Sequence, residues 1–91
     1  MPNPDQRVLL SDSALLRSVG EEGVLLNLKT GLYFSLNLVG LRMLEVLTSS
    51  ASIARALASL QAEYKVDPAE LESDLQELLA DLLKQGLIEL V

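Results

Sequence analysis

The chain begins with a polar stretch, MPNPDQR, and residues 1–6 read as a loose tail. Over VLLSDSALLRSV, apolar and polar residues alternate imperfectly, which predicts a strand at 14–19 and allows an earlier one at 8–10. GEEG at 20–23 reads as a turn, because glycine reaches positive φ without strain. In VLLNL, 24–28, Val24, Leu26 and Leu28 share one face, and Leu25 and Asn27 the other. KTG at 29–31 has the length and final glycine of a tight hairpin turn. LYFSL, 32–36, is the returning strand, with Leu32, Phe34 and Leu36 on one face and Tyr33 and Ser35 on the other. These segments predict an antiparallel meander whose last strand is 32–36.

At Asn37 the apolar period changes from strand-like to helical. Asparagine is a good N-cap, worth about 1 kcal/mol over alanine. The helix it opens, 38–48, is apolar on several sides through Leu38, Leu41, Leu44 and Leu47. Gly40 within it costs about 1 kcal/mol relative to alanine, which a close backbone approach would justify. TSSAS at 48–52 breaks the chain and caps a second helix, 52–64, with Ile53, Leu57, Leu60 and Tyr64 on its inner face. The third helix has the clearest limits. Asp67 at N-cap, Pro68 at N1 and Glu70 at N3 start it, and Gly86 stops it after Gln85, with Lys84 in the last turn. Leu71, Leu75, Leu78 and Leu82 form its stripe, which Leu79 and Leu83 widen on one flank. The closing LIELV is either docked or a final strand.

Composition narrows what such a chain does. Ninety-one residues make one domain with one core, rich in leucine, with 49% hydrophobic residues and only 3% aromatic. The net charge of −6 and the scattering of Arg7, Arg17, Lys29, Arg42, Arg55, Lys65 and Lys84 argue against nucleic acid and anionic membrane as partners. No apolar run approaches the ~20 residues of a membrane span, and the polar start lacks the core of a signal peptide, so the cytoplasm is the expected compartment. Cysteine and histidine are both absent, which removes thiol chemistry, the usual zinc ligands and the commonest general base. Glu70, Asp74, Glu77 and Asp81 read as a solvated helix face. Neither a calcium loop nor a glycine-rich phosphate loop is present. The expectation is a binding protein, not an enzyme, with no cofactor or metal.

One segment invites a partner. Soluble proteins blunt edge strands with lysine, proline or a bulge, because free backbone groups template further pairing. Residues 32–36 have none of these, so as an edge they would accept an added strand. The chain's own LIELV, a second copy in a homodimer, or a topology that places this strand centrally would each satisfy it too.

The stretch GVLLNLKTGLYFSLNLVGLRMLEVL, 23–47, resembles the PqqD-like family, small recognition domains for leader peptides of ribosomally made natural products. The likeness lies in the VLL strand, the turn ending in Gly31, the aromatics before Leu36-Asn37 and the helix directly after. Residues 52–90 are similar to the family's two closing helices and its Gly-Leu-Ile ending. The resemblance implies an α+β, winged-helix-like fold, a three-stranded antiparallel sheet followed by three helices. It also implies that a leader peptide adds as a strand to the last strand, in a groove against the third helix. Leu32, Tyr33, Phe34 and Ser35 would form the strand wall, and Leu71, Asp74, Leu75, Leu78, Leu79 and Leu82 the helix wall. NLKTGLYFSLN looks more like the stand-alone recognition proteins of lasso-peptide clusters, which hand the precursor to a separate leader peptidase. The alternatives are a PqqD-type peptide chaperone for a radical S-adenosylmethionine enzyme and a winged-helix dimerisation or regulatory module.

Overall fold

The computed structural model describes residues 3–91 and contains two small antiparallel sheets and three helices. In chain order the elements are β1 (Val8–Leu10), β2 (Ala14–Val19), β3 (Glu22–Asn27), β4 (Tyr33–Leu36), α1 (Leu38–Ser49), α2 (Ile53–Glu63), α3 (Pro68–Lys84) and β5 (Ile88–Leu90). The expected meander is present as a three-stranded sheet in the order β2-β3-β4, and three helices follow it. A second, two-stranded sheet pairs β1 with β5, Val8 opposite Leu90 and Leu10 opposite Ile88. The closing segment is therefore a strand, and it lies on β1, away from the meander.

Local chemistry explains where the elements begin and end. The β2–β3 loop is only Gly20-Glu21, since Val19 pairs with Glu22. Gly20 has φ +61 and, among the described residues, no non-glycine residue has positive φ, as a two-residue type II′ loop requires. Gly23, expected in that turn, instead lies in β3. A Cβ there would come within 2.8 Å of the Leu41 Cδ1 methyl, so any larger residue requires that side chain to move. At Gly40 the near neighbours of an added Cβ are the side chains of Leu36 and Asn37, not backbone. The helices carry the expected caps: Asn37 Oδ1 accepts from Gly40 N–H at 2.8 Å, Ser52 Oγ from Arg55 N–H, and Asp67 Oδ1 from Ala69 N–H.

The tail behaves differently from expectation over residues 3–6, while residues 1 and 2 lie outside the described residues. Gln6 N–H bonds to Asn3 O, and the first N–H groups of α2, Ile53 and Ala54, donate to Gln6 O and Pro4 O. This turn supplies acceptors that the helix start lacks.

The core lies between the meander and the helices. Leu25 and Leu36 from the sheet, Leu44 and Leu47 from α1, Leu60 from α2, and Leu75, Leu79 and Leu82 from α3 are all buried in one cluster, with Val8 and Ile88 from the second sheet and Leu87 just before β5. Helix α1 is central, packing against α2, β1, β3 and β4. Its burial includes Met43 and Val46, whereas Leu38 in its first turn is exposed. At the surface, Arg42 binds the Glu63 carboxylate through Nε and Nη2, strapping α1 to the end of α2. That bond holds the Glu63 carboxyl below its ordinary range and raises Arg42.

Candidate functional site

The residues that the sequence singles out lie on two elements, the last strand of the meander, β4, and helix α3. Asn27 N–H bonds to Leu32 O, so these residues form a hydrogen-bonded pair across the hairpin. The register then alternates: Leu25 opposite Phe34 and Gly23 opposite Leu36 are bonded pairs, and Leu26 opposite Tyr33 and Val24 opposite Ser35 are not. The N–H and C=O groups of Tyr33 and Ser35 consequently point away from β3. Among the described residues no strand covers them.

Four residues, 28–31, form the turn that aims this edge, one more than KTG suggests. The Asn27 side chain is the reason. Its Oδ1 accepts from Lys29 N–H at 2.9 Å and Thr30 N–H at 3.3 Å, drawing the chain out of the strand after Asn27. Gly31, at φ +74, completes the turn in the left-handed region.

The two aromatics separate across the sheet. Tyr33 is 71% exposed and stands on the outer face beside Leu26, which in turn pairs with Leu15. Phe34 faces inward, half-buried, and packs against the core. Leu32, 60% exposed, sits in the approach to β4, and Ser35 is exposed on the outer face.

On α3 the buried stripe is Leu71, Leu75, Leu79 and Leu82. Leu79 thus belongs to the core, and Leu78, placed in the stripe by sequence, is half-buried on its flank. Two leucines in adjacent positions both fit a wide stripe, and only packing chooses between them. Helix α2 lies on the side of Glu72 and Gln76, which line a depression of about 560 Å³ together with Leu57, Ala58, Leu75 and Leu79. The opposite flank carries Asp74, Leu78 and Asp81 at i, i+4 and i+7 spacing. Of the six candidate residues on α3, only Asp74 and Leu78 present substantial surface on that flank. Leu71, Leu75, Leu79 and Leu82 support it from beneath.

Sequence reasoning missed Asn27, whose Nδ2 donates to Gln85 O at 2.9 Å and ties the hairpin turn to the end of α3. The available signal was a polar residue on the inward face of an otherwise apolar strand. Among the described residues, no group of three or more acidic or other metal-ligating side chains is placed to hold a metal ion. No described helix is long and apolar enough to cross a membrane.

A meander with an open last strand, backed by three helices and a half-apolar helix flank, defines a small α+β fold of the recognition-domain type. The chain belongs to the PqqD family: residues 22–88 match the family model described as coenzyme PQQ synthesis protein D. Its fold is also that of TbiB1, solved in complex with the TbiA(beta) leader peptide. The two share 35% identity at a TM-score of 0.78, over 88% of this chain and 93% of that one. A lasso peptide synthetase B1 solved with its leader peptide has the same fold, with a TM-score of 0.80, 24% identity, and coverage of 91% and 98%. A comparison with curated proteins gives no match.

Proposed function

We propose that this protein binds the leader segment of a ribosomally made precursor peptide in extended form and presents it to a separate leader peptidase in lasso-peptide biosynthesis. The observation that carries the reading is the open β4 edge, where Tyr33 and Ser35 offer unpaired backbone groups next to Phe34. A peptide laid there as a fourth strand gains ladder hydrogen bonds for affinity, and its alternate side chains meet Phe34 and Leu78 for specificity. Leu32, Tyr33, Phe34 and Ser35 form one wall. Asp74 and Leu78 form the other, and Leu71, Leu75, Leu79 and Leu82 hold that helix in place. Membership of the PqqD family and the 35% identity to a leader-bound relative support the same partner.

The role is binding and delivery in the cytoplasm, without a cofactor. A chain lacking histidine and cysteine has few groups for catalysis, and holding the precursor near its enzyme raises the local concentration of substrate. The lasso-peptide context rests on the NLKTGLYFSLN segment.

Titration of isotope-labelled protein with a synthetic leader peptide of the lasso-precursor type tests the reading. Amides of residues 31–36 and of the Asp74–Leu82 part of α3 are expected to shift together. Binding that leaves those amides undisturbed, or no binding, refutes it. The same β4 edge suits a second copy of the chain, and sedimentation with and without peptide shows whether the peptide displaces one.

A further inference from the structure

Asn27 is the buried polar residue among the described residues, 7% exposed, and its backbone N–H and C=O, Oδ1 and Nδ2 each make at least one hydrogen bond. Its backbone N–H donates to Leu32 O and its backbone oxygen accepts from Gly31 N–H, both at 2.8 Å. Oδ1 takes the amides of Lys29 and Thr30. Those bonds shape the β3–β4 turn. Nδ2 crosses a separation of 58 residues to reach Gln85 O.

Gln85 is the C-cap of α3. Beyond it, Gly86 at φ +68 turns the chain, Leu87 N–H returns to Leu82 O, and Gly86 N–H to Leu83 O. This closure satisfies two late carbonyls of the helix and leaves that of Gln85 for Asn27. Among the described residues it is the only hydrogen bond that joins the β3–β4 hairpin to α3.

We propose that Asn27 is a positioning residue that sets the spacing between the β4 edge and the Asp74–Leu78 flank of α3. The start of β4 and the end of α3 both hang on one carboxamide, which is the side chain that accepts two amides on one atom and donates on the other. Aspartate keeps the acceptor for the turn and loses the donor for Gln85, placing a carboxylate against a carbonyl. Asn27→Asp therefore separates the clamp from the turn. The consequence for binding rests on the strand-addition reading; the geometry does not.

The absence of cysteine allows clean double spin-labelling at two exposed positions, through Ser35→Cys and Glu77→Cys. The parent is expected to give one narrow distance distribution and N27D a broadened or displaced one, while the amide of Gly31 keeps its native shift. N27D is expected to bind the synthetic leader about tenfold more weakly, as loss of a buried bond that orders one wall would give. Leu60→Ala, a destabilising change in α2, is expected to leave distance and affinity unaltered. If N27D does not fold, Asn27→Ser replaces it, since serine keeps an oxygen for the turn and is too short to reach Gln85. An unchanged distribution in the Asn27 variant, or equal loss of affinity in Leu60→Ala, overturns the proposal. A parent that fails to bind the leader refutes strand addition instead, and the distance measurement still decides the clamp.

Discussion

Tyr33 and Phe34 are adjacent in sequence and do different work, because successive side chains of a strand leave opposite faces. Phe34 packs against the core from the edge strand and remains half-buried. Tyr33 stands in a row on the outer face with the half-buried Leu26 and the exposed Leu15. Removing Tyr33 takes little from the fold, so Tyr33→Ala is expected to change stability by no more than about 0.5 kcal/mol. Its effect on peptide affinity is that of one cross-strand pair, about 0.2–1 kcal/mol. Phe34→Ala is expected to lower stability by about 1–3 kcal/mol, less than for a fully buried ring, and to weaken the peptide more than Tyr33→Ala does. Thermal melts and a peptide titration of both variants measure this. Equal affinity losses would place the guest on the outer face of the sheet instead.

In the strand-addition reading, the exposed backbone of β4 carries more of the binding than its side chains do. Ser35 does not pair its N–H with β3, so proline there removes an outward donor and leaves the β3–β4 ladder intact. Ser35→Pro is expected to fold with a melting temperature near that of the parent and to bind the leader about tenfold or more weakly, since a ladder bond is lost and the ring occupies the edge. Ser35→Ala should bind like the parent. Elements whose ends are chemically marked were legible in the sequence: Asn37, Asp67-Pro68 and Gly86 announce the helix limits, and the structure places α1 and α3 within a residue of them. The β1–β5 pair was only half visible. Two three-residue strands at opposite ends of the chain carry no periodicity that names their partner. Gly23 looked like a turn glycine because its close neighbour, the Leu41 side chain, is distant in sequence.

The whole molecule holds its open edge against a core that is not uniformly sealed. Leu44 sits on the central helix, which packs against α2 and both sheets, whereas Leu79 backs onto the depression between α2 and α3. Both side chains are about equally buried, so area alone predicts equal costs of truncation. Cavity physics predicts otherwise, because the cost of a large-to-small change grows with the volume left empty. At Leu79 the new space adjoins an existing depression that water and the neighbouring Leu57 can enter. At Leu44 it stays enclosed and dry. Leu79→Ala is therefore expected to cost about 2–3 kcal/mol and Leu44→Ala about 4–5 kcal/mol, within the range for such substitutions. Urea unfolding measures both, with unchanged slopes confirming that stability alone has moved. The reverse order would mean that the helical layer around α3, and not α1, is the rigid support on which the β4 edge depends.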